Sequence, residues 1–381
     1  MLYSARYINK ERKIMLLAAA CVFLVGLFLQ GCTGRLGTPN SYNSYALQAA
    51  RWLEGHLDLG QNYSHLEIAA FNGKYYNSFP PFPSVVLLPF VLLFGTATPD
   101  GLISLWFAAA GAALAAKLSF LYGKSEKEAF FWAVFITVGS NLLSIMCTGW
   151  VWFIAQTMAF TFLLAAFCTA KQGKTWCALL LTACAAGCRP FSVLCLPIFL
   201  YLLHKAGCRF SRRTLLRVLP AAVLCLFYAL LNGLRFGNPL EFGHNYLPEF
   251  LAEPQFGFGY VAENVKTLVR LPALQGGQLV FPEFNGFNFF LASPLFISCL
   301  CRLVRHKKDA ADWCATGLLL LWLLLFCMHR TMGGWHFGNR YTIDLLPPAL
   351  WLILRKKGDF SGHIPLFFLG FSLHFYGFLT L

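Results

Sequence analysis

Uncharged apolar runs dominate this chain, beginning with IMLLAAACVFLVGLFLQGC at residues 14–32. A run of about 20 such residues is what a helix needs to cross the hydrocarbon of a bilayer. A helix or a closed barrel is the only backbone that can lie there with its polar groups satisfied. Eleven runs of this kind are read, near 14–33, 101–122, 129–147, 155–170, 175–188, 190–203, 217–233, 287–301, 313–329, 343–354 and 364–381. The two around Arg189-Pro190 are short and could form one broken hairpin. PSVVLLPFVLLFG, 83–95, is too short to span and is expected as a half-helix at the membrane surface. The fold class expected is therefore an all-α polytopic membrane protein, one transmembrane domain over residues 1–381. Only 12% of the residues are charged, with a mean hydropathy of +0.60, about half the charged fraction of a soluble domain.

The net charge of +14 would ordinarily raise nucleic acid as a partner, but its distribution argues against that. Lys and Arg gather in MLYSARYINKERK, KLSFLYGKSEK, KQGK, HKAGCRFSRRTLLR, RLVRHKK and RKK. With the spans above, all of these fall on the side of the N-terminus. That side holds 21 of the 30 Lys/Arg and 6 of the 16 Asp/Glu, a net of +15 against −1 on the other. Such asymmetry marks the cytoplasmic face, so the N-terminus is expected inside and no nucleic acid partner is expected. LQGC, 29–32, looks like part of a lipoprotein cleavage site, but Gln30 fits that site poorly and the run is read as an uncleaved first span. Most of the 14 cysteines lie in apolar runs and act as small hydrophobes.

Polar sequence outside the bilayer then falls into three outer loops, 34–100, 234–286 and 329–342, where any chemistry is expected. In the first, SYNSYALQAARWLEGHL reads as an interfacial helix capped by Ser41. Asn72-Gly73 is a tight-turn signal that would fold Lys74-Tyr75-Tyr76 back across the Glu67 segment. SFPPFP then stiffens the re-entry. Glu67 and Asp58 are candidate general bases, since a carboxylate is ionised at neutral pH and can take a proton from an attacking alcohol. In the third loop, GGWHFGNRYTIDLLPP, Arg340 stands at the mouth of a span beside His336, Asn339 and Tyr341. A guanidinium fork suits a phosphate. The blander reading has Arg340 snorkelling to headgroups or pairing with Asp344 one turn on. In the long loop, Glu241 and His244 lie among many aromatics and are candidates for binding an acceptor. No HExxH, P-loop, dinucleotide fingerprint or GxSxG elbow occurs, so neither a metal nor another cofactor is expected.

GKYYNSFPPFPSVVLLPFVLLFG, FGNPLEFG and WHFGNRYTIDLLPP, in that order, resemble segments of the GT-C superfamily of membrane glycosyltransferases. The likeness is to bacterial proteins related to protein O-mannosyltransferases and aminoarabinose transferases, and it covers most of the chain. The resemblance implies a sugar donor on a polyprenyl phosphate and transfer with inversion to a hydroxyl of a glycan, lipid or protein acceptor, in contact with membrane lipid. It implies an acid of the first outer loop as catalyst, best matched by Glu67 with Asp58 in reserve. It also implies a donor site of basic and aromatic side chains: Lys74, Tyr75, Tyr76, Arg340, Tyr341 and His336. A bacterial plasma membrane fits the likeness. Glu67 stands alone where many members have Asp or an Asp-Glu pair. CTGWVWFIAQ carries no acid, which argues against a required divalent ion. Two rivals remain: a transporter or flippase, and a lipid-linked polysaccharide polymerase or ligase with its site in the long loop.

Overall fold

The computed structural model describes residues 2–208 and 211–380. Its helices are α1 (Leu2–Cys32), α2 (Ser44–Leu53), α3 (Phe82–Phe94), α4 (Asp100–Leu121), α5 (Glu126–Thr137), α6 (Leu142–Met146), α7 (Val151–Lys171), α8 (Thr175–Ala186), α9 (Leu196–Lys205), α10 (Arg212–Phe236), α11 (Pro248–Ala252), α12 (Val261–Val269), α13 (Phe289–Ala292), α14 (Leu295–Arg305), α15 (Ala310–Met328), α16 (Leu346–Leu354) and α17 (Ile364–Thr380). Two small hairpins, β1–β2 (Ile68–Phe71, Lys74–Asn77) and β3–β4 (Ala273–Gln275, Gln278–Val280), are the sheets among the described residues. The expected all-α polytopic architecture holds. Six helices, in α1, α4, α7, α10, α15 and α17, are long and apolar enough to cross a bilayer alone. The remaining passes are shorter or broken. α5 and α6 form one, 3-10 turns at Pro190–Cys195 and Arg340–Leu345 lead into α9 and α16, and Ser293-Pro294 interrupts α13–α14.

Helix α7 sits at the centre. It packs against α4 and α8, and α1 lies along the far side of α4. The largest apolar cluster joins Trp132, Phe135, Phe160, Phe167, Phe199 and Trp351, all buried. Small residues let the backbones approach: in α4, Ala108, Ala112, Ala115 and Ala116 are fully buried. Lipid tails are as apolar as leucine, so close packing of this kind drives helix association where burial from water cannot.

The basic clusters converge on one end. Lys10 pairs with Glu126 at 3.2 Å and Glu11 with Lys117 at 2.9 Å. Lys124 Nζ donates to the Lys356 carbonyl at 2.7 Å, and Arg302 donates to the Lys357 carbonyl at 2.6 Å. Asp312, in a capping box with Asp309 at the start of α15, holds Arg355 at 3.0 Å and also pairs with Lys356. The outer loops occupy the opposite end.

There the first loop folds much as its turn signals require. Asn72 and Gly73 both adopt positive φ, 49° and 72°, the pattern of a two-residue I′ hairpin turn. Ile68 faces Asn77 and Ala69 faces Tyr76 across the ladder. One detail differs from expectation. α2 begins at Ser44 behind Asn43, and no side chain caps it. The Ser41 carbonyl instead meets the His65 ring at 3.1 Å. The helix buries Tyr45, Ala46 and Ala49, while Tyr42, ahead of it, packs at a tilt against Trp150 and Trp152.

Candidate active site

A cavity of about 830 Å³ opens among the outer ends of α7, α8, α15 and α16. Each of these helices ends there in a residue that faces it. Trp150 and Trp152 come from the start of α7, Arg189 from the gap between α8 and α9, His329 from the end of α15, and Arg340 and Tyr341 from the turn before α16. The first outer loop adds Glu67, and the long loop adds Glu241 and His244.

Arg340 is 4% exposed. One nitrogen, Nη2, donates to the Gly333 carbonyl at 2.7 Å, while Nε and Nη1 have no partner. The guanidinium lies over Tyr341 at 5.0 Å and Phe153 at 5.8 Å. The pairing with Asp344 considered from sequence does not form. Asp344 is taken by Arg189, whose Nε lies 3.0 Å from Oδ2, and by Gln156, whose Nε2 donates to Oδ1 at 2.8 Å. Gln156 Nε2 also reaches the Arg340 carbonyl at 2.8 Å, tying the two arginines into one network. Arg189 itself passes over the Tyr341 ring at 5.2 Å. Two guanidinium groups thus approach one aromatic ring at the wall of one cavity. They share a single buried carboxylate, and it directly bonds only one of them.

The loop that carries Arg340 is held rigidly. Asn141 Nδ2 donates to the Phe337 carbonyl at 3.0 Å, and its Oδ1 accepts from the Asn339 amide. Gly338 between them has φ 95°, and a Cβ there would stand 2.1 Å from Asn141 Oδ1. Only glycine satisfies both the left-handed backbone and the close approach. The long loop is zipped to the same segment. The Asn285 amide donates to the Gly334 carbonyl at 2.8 Å, the Phe287 amide to Gly338 at 2.9 Å and the Arg330 amide to Gln255 at 2.9 Å.

Glu67 is half-buried on the cavity wall, and its carboxylate makes no hydrogen bond or ion pair with a described residue. Its backbone is fixed by Ser78, whose hydroxyl donates to the Glu67 carbonyl at 2.9 Å. The Ser78 carbonyl in turn meets His244 Nδ1 at 2.8 Å, so the first and long loops grip one residue between them. Glu241 reaches the cavity, but its carboxylate closes a local turn. It accepts from the Gly243 amide at 2.5 Å and from Asn245 at 2.6 Å.

Other residues singled out from sequence lie elsewhere. Asp58 accepts from the Gly60 amide at 3.0 Å and stabilises a turn away from the cavity. Lys74 is exposed at the turn end of the hairpin, and Tyr75 belongs to a separate cluster with Leu59 and Ile68. Tyr76 is buried against Phe236. None of the three lines the cavity, because the tight turn carries them along the outer flank of the first loop. His336 faces a smaller neighbouring hollow.

Two contributors escape sequence reading. Arg189 is a lone cation between two short apolar runs; an ionisable group at that depth is a functional candidate by default, and this was the available signal. His329 is buried between Phe250, Phe256 and Tyr341, with Nδ1 at 2.8 Å from the Thr331 carbonyl and Nε2 facing Gln255 Nε2 at 3.1 Å. The Thr331 amide also lies 3.1 Å from Nδ1, so that the amide and the carbonyl of one residue both face this ring. Burial pushes its pKa down to about 3, so it is neutral at physiological pH.

No family model matches the sequence, and no characterised protein matches it at the sequence level. At the level of structure, the chain is similar to ArnT from Cupriavidus metallidurans, a GT-C glycosyltransferase solved bound to undecaprenyl phosphate. Identity is 15% and the TM-score 0.50. The match covers 89% of this chain and 58% of that one, so this chain corresponds to rather more than half of the neighbour's length. Together with the helical passes, this likeness shows that the chain shares the fold of that protein over most of its own length.

Proposed function

We propose that this protein is an integral membrane glycosyltransferase that moves a sugar from a polyprenyl-phosphate donor to an acceptor hydroxyl. The observation that carries the proposal is the buried Arg340, with two unpartnered guanidinium nitrogens at the wall of a cavity that also presents an unpaired carboxylate, Glu67. A buried cation without its own counter-ion is costly, and an anionic ligand offsets that cost. The fold neighbour was solved with a lipid phosphate, which supports a ligand of that class here.

In this reading the donor phosphate meets Arg340 and Arg189 around Tyr341. Glu67 accepts the proton of the acceptor hydroxyl as its oxygen attacks the anomeric carbon. The bond from that carbon to the phosphate oxygen breaks, and the electron pair leaves with the polyprenyl phosphate. Charge accumulates on that phosphate, beside two arginines that line the cavity wall and are held in place by burial and by Asp344; cations fixed in advance stabilise such charge without reorganising. The acid comes from the first loop and the cations from the turns before α9 and α16; displacement with inversion would place them on opposite sides of the anomeric carbon. Glu241 and His244 line the same cavity and are proposed to meet the acceptor where it reaches the donor, and Asp58, Lys74, Tyr75 and Tyr76 support the loop that carries Glu67. The basic end, at the start of α1, faces the cytoplasm of a bacterial cell, and the cavity opens to the outer face of its plasma membrane. A polymerase or ligase using the long loop would draw on the same cavity, since the first and long loops line it together.

The test is sugar transfer by purified protein in lipid. A panel of labelled polyprenyl-phosphate sugars is offered with cell-envelope lipid and glycan acceptors, wild type beside Glu67→Gln. Transfer that the variant loses while still binding the donor supports the assignment. Transfer indifferent to Glu67 removes it as the base, and no transfer from any donor removes the enzyme reading.

A further inference from the structure

A second hollow, of about 170 Å³, adjoins the main cavity. Trp150 and Trp335 line both, so the two indoles form the partition. Phe153 lies beneath Arg340 at 5.8 Å and lines only the smaller space, which places Arg340 on the far side of the wall. His336 lines the smaller hollow at 7% exposure, and neither ring nitrogen has a hydrogen bond of good geometry. Arg35 and Glu283 line it as well. Arg35 rests over the Phe378 ring at 5.3 Å and pairs with no carboxylate among the described residues. The Glu283 carboxylate is likewise unpaired, although its backbone carbonyl accepts from the His336 amide at 2.9 Å.

These groups narrow what the hollow can take. An apolar ligand would cover Arg35 and Glu283, which have no charged partner among the described residues, without replacing their hydrogen bonds to water. An anion is opposed by Glu283 and a cation by Arg35. A neutral ligand that both donates and accepts hydrogen bonds suits a cation, an anion and an imidazole together. The indole faces call for a ring with an apolar side. The space holds one ring and little more. Burial keeps the His336 pKa down to about 3, so that the ring stays neutral and can both accept and donate.

We propose that this side pocket is a saccharide subsite, holding a sugar ring of the acceptor while the main cavity holds the donor. This deepens the glycosyltransferase reading and rests on it for the word acceptor. The ring sits across Trp150 and Trp335 from the two arginines, whereas a donor sugar is bound covalently to the phosphate those arginines face. The acceptor is thereby a glycan or a glycolipid headgroup. Arg35 and Glu283 contact its hydroxyls, and His336 is a positioning contact at the pocket floor.

The experiment uses the full chain in phosphatidylcholine nanodiscs. Methyl hexoside, methyl N-acetylhexosaminide and methyl pentoside are titrated as probes and followed by saturation-transfer NMR. At least one probe is expected to bind wild type. Arg35→Ala and Glu283→Gln, at half-buried and exposed side chains, should each weaken that probe about tenfold or more, the loss of one charge-assisted hydrogen bond. Both should keep wild-type thermal stability and wild-type polyprenyl-phosphate binding, and raise KM for the acceptor without raising it for the donor. Arg340→Met should leave the probe's affinity unchanged. Absence of binding by every probe overturns the proposal, as does binding indifferent to both Arg35 and Glu283. Loss of probe binding in Arg340→Met places the ring in the main cavity as a donor sugar and also overturns it. Glu67-dependent transfer without probe binding leaves the enzyme reading standing and removes the subsite. Probe binding at Arg35 and Glu283 without any transfer upholds a saccharide site and removes the enzyme.

Discussion

Arg340→Met separates a ligand-binding arginine from a structural one. The wild-type guanidinium is buried, donates one hydrogen bond to the Gly333 carbonyl, lies over two aromatic rings and leaves Nε and Nη1 free. Methionine fills much of the same volume without charge. The folded protein loses one charge-assisted hydrogen bond, about 1.5–3 kcal/mol, and two cation–π contacts of about 0.5–1 kcal/mol each. It is relieved of holding a poorly compensated charge, a penalty of several kcal/mol. These nearly cancel, and stability should change by less than about 2 kcal/mol in either direction. The ligand loses two charge-assisted hydrogen bonds, about 3–6 kcal/mol together, or about 10²- to 10⁴-fold in Kd. The assay is a thermal melt in detergent with and without a short-chain polyprenyl phosphate, beside equilibrium binding. Wild type should melt higher with ligand, and the variant should melt near apo wild type and gain nothing. A melt that collapses while affinity persists would show the arginine to be a structural strut, and the phosphate assignment would be wrong.

Glu67→Gln should lower turnover about 10²- to 10⁴-fold, the usual worth of a positioned general base, with donor Kd unchanged in the same binding assay. Asp58→Asn and Lys74→Ala should each keep turnover within a factor of a few, because their side chains serve a turn and solvent; a large loss in either would return that residue to the site. Asp344→Asn should weaken donor binding through Arg189 and Gln156 while leaving the Glu67-dependent step intact, read as a rise in donor KM with little change in kcat. Acid should destabilise the fold through His329 and His336, both held neutral with pKa pushed down to about 3. Between about pH 6.5 and 3 the unfolded histidines bind protons that the folded ones refuse, so stability falls as pH falls, by up to ~5 kcal/mol for each. The thermal midpoint of a His336→Phe variant should fall less steeply with pH than wild type over that window.

The apolar runs were legible because helix formation and burial in lipid are set by local composition. The same holds for the hairpin: Asn72-Gly73 can adopt the two positive φ values its turn needs, and few other dipeptides can. The charge asymmetry was equally local, and the salt bridges of Lys10, Lys124 and Arg355, with the hydrogen bonds of Arg302 to backbone carbonyls, gather those clusters at one end. Glu67 and Arg340 could be named because each is a polar residue in an otherwise apolar neighbourhood. Which acids and cations share a cavity depends on contacts far apart in sequence. Arg189 finds Asp344 across 155 positions, and Gln156 finds the Arg340 carbonyl across 184. Proximity misled as well. Arg340 and Asp344 are one turn apart but unpaired, because a 3-10 turn held by Asn141 aims the guanidinium at Gly333 and the cavity. Lys74, Tyr75 and Tyr76 are close to Glu67 in the chain, yet the turn that folds them back carries them to the outer flank. The sequence by itself determined a multi-pass helical membrane protein with most of its polar loop sequence at one end. Only the tertiary structure decided which of those polar groups meet, because electrostatic pairing in a low-dielectric interior is fixed by distance in space, and helix packing together with the loops that it brings into contact sets that distance.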